Sequence, residues 1–168
     1  MIDIETLGTD TNSVVLSLAA LEFCPQTGKT GRQFYKKIDL NSAIALGLQI
    51  NTDTLVWWTT QNTKQFTEMF KDAQPIHKVL ELFVNWFRSP DMIIWANSPS
   101  FDLIIIENAL RKANLPTPWK YINERCVRTM LALNPEAKKS VQKPENAHNA
   151  LADCFYQISY LHKIFNGF

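Results

Sequence analysis

The spacing of apolar residues changes along the chain from that of strands to that of helices. Residues 1–5 precede the turn-forming residues 8–10, and residues 14–23 are an apolar run rich in strand formers. A turn at residues 25–28 leads into residues 32–39, whose mixed alternation indicates the second strand of a hairpin. Three early strands are therefore expected.

Helical spacing begins at about residue 42. Residues 42–70 are apolar and aromatic, and Thr52 or Asp53 is a suitable N-cap within them. Pro75 opens another amphipathic helix, because the apolar residues after it recur one turn apart. Those residues are Ile76, Val79, Leu80, Phe83, Val84 and Phe87. The middle of the chain is thus predicted to be helical.

A short apolar run at residues 92–96 lies between prolines and predicts a buried strand. Ser98 and Pro99 follow it and suit the N-cap and first position of a helix that runs to about Ala113. A strand followed directly by a helix is the repeating unit of α/β proteins.

The last part of the chain predicts a loop and one long helix. Residues 134–146 are polar and basic, and the helix is expected over residues 147–165. Because strands and helices alternate without a linker or an internal repeat, the pattern predicts one α/β domain over residues 1–168.

The composition agrees with a globular domain, since 46% of the residues are apolar and 20% are charged. No apolar run reaches the roughly 18 residues that suggest a membrane span. The three cysteines form no CxxC pair and are expected to be reduced thiols of a cytoplasmic protein. The net charge of +1 does not indicate binding to long duplex nucleic acid, but it suits an enzyme that grips a few nucleotides.

Asp3 and Glu5 are two residues apart on an expected strand, so their side chains leave the same face. Two carboxylates this close raise each other's proton affinity unless a cation lies between them, and hard divalent cations prefer such oxygen ligands. Taken alone, the pair also fits two solvated acids at a frayed chain end.

Three further residues are candidates for the same site as Asp3 and Glu5. Asp102 falls in the first turn of a helix that follows a buried strand, where it fits either a ligand site or a helix-stabilising acid. His148 and Asp153 would lie about 140° apart on one continuous helix. A shared role is easier if His148 stands at or before the helix start, and histidine is suited to accept a proton near neutral pH.

The order of these motifs is distinctive: DIET at residues 3–6, Phe-Asp at 101–102, and H-x4-D at 148–153. In this combination the chain resembles the DEDDh exonucleases of the ribonuclease H-like superfamily. Relatives of another branch place a tyrosine four residues before the last aspartate, and that position here is Asn149.

A closer resemblance is to the branch that contains phage exonuclease A and the mycobacterial-type exoribonucleases. It rests on residues 53–61 with their tryptophan pair, on residues 125–129, and on residues 148–157. Two features depart from that branch. Cys126 stands where relatives tend to carry an acidic residue, and only two residues precede Asp3, which indicates a trimmed or unusually short amino terminus.

The resemblance implies a ribonuclease H-like α/β fold with a mixed central β-sheet flanked by α-helices. It implies a 3′→5′ exonuclease that uses two divalent ions, Mg²⁺ or Mn²⁺, to release 5′-mononucleotides from single-stranded RNA or DNA. Asp3, Glu5 and Asp153 would hold one ion, and Asp3 with Asp102 the other. His148 would deprotonate the attacking water.

The resemblance also implies contacts with the 3′ end of a single strand. The residues concerned are Thr6, Leu7, Trp57, Trp58, Gln61, Asn97, Phe101 and Arg128. Adjacent tryptophans on a helix point about 100° apart, so at least one of the pair is expected in the core, and the other can stack on a base. Arg128 fits phosphate binding or helix capping.

A second function remains compatible with the motifs: a catalytically silent ribonuclease H-like module that binds nucleic acid or a partner. The intact set of four acids and one histidine favours the enzyme, because clustered carboxylates without a cation destabilise a fold. The resemblance further implies a homodimer, and no membrane association is expected.

Overall fold

A computed structural model describes residues 1–61, 63–144 and 148–167. Within them, five strands form one sheet in the order β3-β2-β1-β4-β5. The strands are Ile2–Thr6 (β1), Val15–Phe23 (β2), Thr30–Lys37 (β3), Ile94–Ala96 (β4) and Glu124–Cys126 (β5). Strands β1, β2 and β3 pair antiparallel, whereas β4 runs parallel to both β1 and β5. The predicted mixed sheet is confirmed, with β1 at its centre.

The helices of the described residues cover both faces of this sheet. They are Leu40–Ala45 (α1), Thr52–Thr59 (α2), Thr63–Glu68 (α3), Ile76–Trp86 (α4), Asp102–Lys112 (α5), Val127–Leu133 (α6), Glu136–Lys139 (α7) and Ala150–Phe165 (α8). A 3₁₀ turn at Tyr121–Asn123 leads into β5. None of these helices has the length and the apolar character that a membrane crossing requires.

Two apolar cores lie on opposite faces of the sheet. The larger core packs Ile2 and Ile4 of β1 against α4 and α5. The smaller core packs Ala19 and Leu21 of β2 and Trp95 of β4 against α8 and α6. Because side chains alternate along a strand, β1 sends its isoleucines to the larger core and its two acids to the opposite face.

The region predicted as helical over residues 42–70 is interrupted. Gly47 has a φ of 89°, a left-handed conformation that ends α1. The segment after it bonds to the start of the chain, since Asn51 donates its N–H to the Leu7 carbonyl at 2.7 Å. The N-cap of α2 is Asn51, whose side chain accepts from the Thr54 N–H, so the predicted caps Thr52 and Asp53 are wrong by one or two residues.

Three other boundaries differ from the prediction. Ser98 and Pro99 form a turn, and α5 begins at Asp102. The predicted loop at residues 134–146 contains the short helix α7, and its last two residues lie outside the described part of the chain. The last helix begins at Ala150, capped by Asn149, so the prediction that residues 148 and 149 are helical is wrong, and the predicted start at residue 147 lies outside the described residues.

Candidate active site

Strand β1 carries the first two acids of the site. Asp3 and Glu5 are each only 8% exposed, although neither forms an ion pair with a lysine or arginine of the described residues. Both lie on the face that α8 covers, as the two-residue spacing predicts. Burying two unpaired carboxylates costs free energy, so their presence here requires a reason other than packing.

Asp102 reaches the same place from the neighbouring strand. Strand β4 runs parallel to β1, and the turn after β4 places Asp102 as the first residue of α5. Its side chain is 4% exposed and accepts the Ser98 N–H at 3.2 Å. A carboxylate in the first turn also interacts favourably with the helix dipole. Asp102 repels Asp3 and Glu5 electrostatically, which shows that the three groups are neighbours.

Helix α8 supplies the fourth acid and the histidine. Asp153 lies in the first turn of α8, and His148 lies just before the helix with a φ of 68°. The His148 N–H donates to Asp153 Oδ2 at 3.1 Å. One ligand atom each from Glu5, His148 and Asp153 lie within 4.8 Å of one another. His148 thus meets the condition that makes a shared role with Asp153 easier, since it stands before the helix start.

Burial and mutual repulsion of the carboxylates dominate the electrostatics of the site. Burial raises the pKa of Asp3 and of Glu5 well above the usual carboxyl range, and repulsion among the four acids raises both further. Burial also raises the pKa of Asp102 to about 6 and raises that of Asp153. Proton affinities raised by desolvation and like charge are expected where carboxylates are arranged for a cation.

The donor set fits divalent cations. Four carboxylates offer the hard oxygen ligands that Mg²⁺ and Mn²⁺ prefer, and burial is the main cause of their raised pKa values. Three basic side chains partly oppose these rises. Arg128 acts on the pKa of Asp102, and Lys138 and Lys143 act on the pKa of Asp153. None of the three neutralises the cluster by direct pairing within the described residues.

Gln157 is a residue of the candidate site that the sequence did not indicate. Its Nε2 donates to Asp3 Oδ1 at 2.6 Å, across 154 residues of sequence. The side chain lies one turn after Asp153 on α8, and its Oε1 is buried without a hydrogen-bond partner. Gln157 therefore fixes the orientation of Asp3. The signal available beforehand was its position four residues after Asp153, which places both on one helix face.

A cavity of about 530 Å³ opens beside the acids. Its lining includes Glu5 and Thr6 of β1, Trp57 of α2 and Phe101 before α5. Such a volume lies in the range of small-ligand pockets, which combine apolar walls with a few polar groups. The structure thus joins an aromatic pocket to the carboxylate cluster through Glu5.

The two adjacent tryptophans have different environments. Trp58 is 2% exposed, stacks on Phe66 and donates its Nε1–H to the Thr6 carbonyl at 2.9 Å. Trp57 is 41% exposed, lines the cavity and contacts the His148 ring edge to face at 5.1 Å. The expectation that at least one tryptophan lies in the core is confirmed, and Trp57 is the one available for stacking.

The remaining predicted contact residues are spread around the site. Leu7 is buried, its N–H donates to Val14 and its carbonyl accepts from Asn51, so the structure does not bring it to the cavity surface. Asn97 accepts the Arg128 N–H, which ties the turn after β4 to the start of α6. Gln61 follows α2 and bonds to Thr60, away from the cavity lining.

The sheet order, the helices on both faces and the central carboxylates are those of ribonuclease H-like hydrolases. Residues 1–165 match the family model described as the 3′-5′ exoribonuclease Rv2179c-like domain, and the chain belongs to that family. It is therefore a nuclease of the exoribonuclease type, as the resemblance to the DEDDh exonucleases predicted. A comparison with curated proteins finds no match.

Proposed function

We propose that this protein is a divalent-metal-dependent 3′→5′ exonuclease that releases 5′-mononucleotides from single-stranded 3′ ends. The observation that carries the proposal is the convergence of four acids and one histidine beside a stacking pocket. Glu5 belongs to both parts, since it lies within 4.8 Å of His148 and Asp153 and also lines the cavity. RNA is the substrate class that the family implies.

Asp3, Glu5 and Asp153 would hold one divalent ion, and Asp3 with Asp102 the other. When bound, such ions stabilise the charge that develops on the attacking and leaving oxygens of a phosphodiester. Gln157 holds Asp3 in place, and the Ser98 N–H does the same for Asp102. The chain thereby positions oxygen ligands that would otherwise repel one another.

His148 would accept the proton of the attacking water at a ring nitrogen. Its backbone is fixed by the bond to Asp153, and its ring is confined by Trp57 and Trp58. A general base must lie within reach of the proton that it removes. Confinement of the ring keeps its nitrogen in one place for more of the time than free rotation would. Arg128 would contact a phosphate of the strand, because it lies close enough to Asp102 to lower its pKa and forms no ion pair with an acid of the described residues.

The cavity would hold the terminal nucleotide. Trp57 offers an exposed ring on which any base can stack, and Phe101 provides a second apolar wall. Thr6 lines the same cavity next to Glu5, which would bring the terminal sugar close to the acids. Because stacking does not depend on the sugar, we include single-stranded DNA as a second substrate.

The test is hydrolysis of 5′-labelled single-stranded RNA and DNA of equal sequence. Stepwise shortening with Mg²⁺ or Mn²⁺, abolished by EDTA, is expected, and a 3′-phosphate should slow it strongly. An Asp153→Asn variant purified in the same way controls for contaminating nucleases. Cleavage of a circular RNA, or equal rates for free and blocked 3′ ends, would contradict the proposal. The homodimer that the resemblance implies stays a prediction, which light scattering measures.

A further inference from the structure

We propose that Glu5, His148 and Asp153 form a mixed nitrogen–oxygen site that binds Zn²⁺ or a similar transition-metal ion and so inhibits the enzyme. The site differs from the oxygen-only sites of the proposed mechanism, because His148 acts in it as a ligand. The prediction that the ion binds depends only on the geometry of the three side chains. The prediction that it inhibits the enzyme rests on the proposed function of His148 as the base.

The distances suit one ion. Ligand atoms of Glu5, His148 and Asp153 lie within 4.8 Å of one another. Zinc binds imidazole nitrogen and carboxylate oxygen at about 2.0–2.2 Å in tetrahedral geometry, so two ligand atoms of one ion lie about 3.3–3.6 Å apart. Side-chain movements of roughly an ångström would bring the three ligand atoms to that spacing.

His148 is held in this place by independent contacts. Its N–H donates to Asp153 Oδ2 at 3.1 Å, and within the described part of the chain no hydrogen bond engages Asp153 Oδ1. Its ring meets the Trp57 ring at 5.1 Å and the Trp58 ring at 5.9 Å, both nearly edge to face. A ligand whose ring is confined before the ion arrives loses little conformational freedom on binding.

The other two acids stand outside this group of ligand atoms. Among the described residues, the set that lies within 4.8 Å comprises Glu5, His148 and Asp153, without Asp3 or Asp102. Imidazole suits zinc, cobalt, nickel and copper, whereas Mg²⁺ requires oxygen ligands in octahedral geometry. His148 should therefore contribute to the binding of transition metals and leave the binding of Mg²⁺ nearly unchanged.

Coordination would remove the base from the reaction. A ring nitrogen that binds an ion has no lone pair with which to accept a proton from water. The same ion would also occupy Glu5 and Asp153, which the proposed mechanism needs for Mg²⁺. Zinc should therefore inhibit hydrolysis, and a higher Mg²⁺ concentration should raise the zinc concentration that is required.

Nuclear magnetic resonance of ¹⁵N-histidine-labelled protein tests the ligand directly. The chain has three histidines, so the ring signals of His77 and His162 serve as internal controls. Zn²⁺ should shift a ring nitrogen of His148 strongly, Mg²⁺ should not, and neither ion should shift the controls. An unshifted His148 at saturating Zn²⁺ would overturn the proposal, wherever else zinc binds.

A substitution measures the contribution of the ring. His148→Asn suits the left-handed backbone at this position, since asparagine adopts positive φ readily, and it removes the ring nitrogen. The Kd for Zn²⁺ should rise about tenfold or more, because losing even an outer-shell partner of a metal ligand costs about 10–100-fold. The Kd for Mg²⁺ should change little, and His77→Ala, at an exposed helix position, should change neither. An equal Zn²⁺ Kd in the wild type and His148→Asn would overturn the proposal.

Hydrolysis assays separate this proposal from the proposed function. A zinc-shifted His148 in a protein without nuclease activity would refute the proposed function and leave the metal site standing. An active enzyme that zinc inhibits while His148 stays unshifted would refute the mixed site and leave the proposed function standing. The supporting result is inhibition of the wild type in the same zinc range that shifts His148.

Discussion

The two faces of the sheet differ in what they bury. The larger core is apolar throughout, and its centre is Phe83, which meets Phe34, Phe87 and Trp119 edge to face. The opposite face buries the acids of β1 beneath α8, next to a smaller apolar core. One strand serves both, because its side chains alternate between the faces.

The difference teaches where stability and chemistry are located in this chain. Aromatic contacts on the larger face add favourable free energy beyond the area that they bury. Burial on the other face raises the pKa of every acid in the cluster, so the charged, metal-free site opposes folding. The favourable free energy of packing on the larger face thus offsets the unfavourable free energy of burying the acids on the other face.

The largest effect on the functional face is expected from His148→Ala. Loss of a general base should lower turnover of RNA about 10²–10⁴-fold, or roughly 3–5 kcal/mol of barrier, with little change in Mg²⁺ affinity. Steady-state kinetics with Mg²⁺ titration measures both. Retention of more than half of the wild-type turnover would make His148 a structural residue.

The largest effect on the apolar face is expected from Phe83→Ala. Phe83 is fully buried, and removal of a buried phenylalanine costs about 3–5 kcal/mol of unfolding free energy. Leu82→Ala on the same helix is the matched control, because Leu82 is exposed. Urea unfolding measures the loss, and the folded fraction should keep its turnover per molecule. An equally small loss of unfolding free energy in both variants would contradict the view that the larger face provides the stability of the fold.

A third prediction uses the raised pKa of Asp102, about 6 in the folded protein. A carboxyl group that binds protons more tightly when folded stabilises the fold at low pH. That stability is lost as pH rises from about 4 to about 7, on the order of 2–3 kcal/mol for this shift. Asp102→Asn should flatten this fall in the metal-free protein and raise its melting temperature at pH 7.

Calorimetry measures the melting temperatures of the wild type and Asp102→Asn, each with EDTA and with Mn²⁺. Mn²⁺ should raise the melting temperature of the wild type more than that of Asp102→Asn, because the variant binds the ion more weakly. Asp10→Asn controls for loss of an exposed acid. Equal metal-induced shifts in the wild type and Asp102→Asn would remove Asp102 from the site.

The predicted parts of the fold and site depend on local pattern. Asp3 and Glu5 share a face because of strand periodicity alone, and a helix follows the late polar segment as expected, although it begins at Ala150 and leaves His148 before it. The resemblance to the DEDDh exonucleases supplied the rest of the acid set. These features require no knowledge of which elements pack together.

The features that the sequence did not reveal depend on contacts between distant residues. The break after α1 is stabilised by bonds from residues 49 and 51 to the start of the chain. Strand β5 has three residues and exists through its pairing with β4. The bond from Gln157 to Asp3 and the bond from Trp58 to the Thr6 carbonyl likewise join residues far apart in sequence. Local propensity carries no information about such pairs.

The smallest predicted effect concerns Trp57, which contacts the buried Trp58 and lines the cavity. Trp58 anchors α2 to β1 from within the core, whereas Trp57 faces the cavity and His148. Trp57→Ala should therefore change folding stability little and weaken RNA binding, by about 1–3 kcal/mol for one lost base stack.

Binding of a short single-stranded RNA to proteins that also carry Asp102→Asn measures this without turnover. Trp57→Phe should restore most of the affinity, because phenylalanine keeps a stacking surface in the same place. Val56→Ala, at an exposed position of α2 outside the cavity lining, controls for loss of exposed apolar surface. If Trp57→Ala binds RNA as well as Val56→Ala does, the ring is not a stacking platform. If Trp57→Ala instead loses several kcal/mol of unfolding free energy, Trp57 belongs functionally with Trp58 and the packed face.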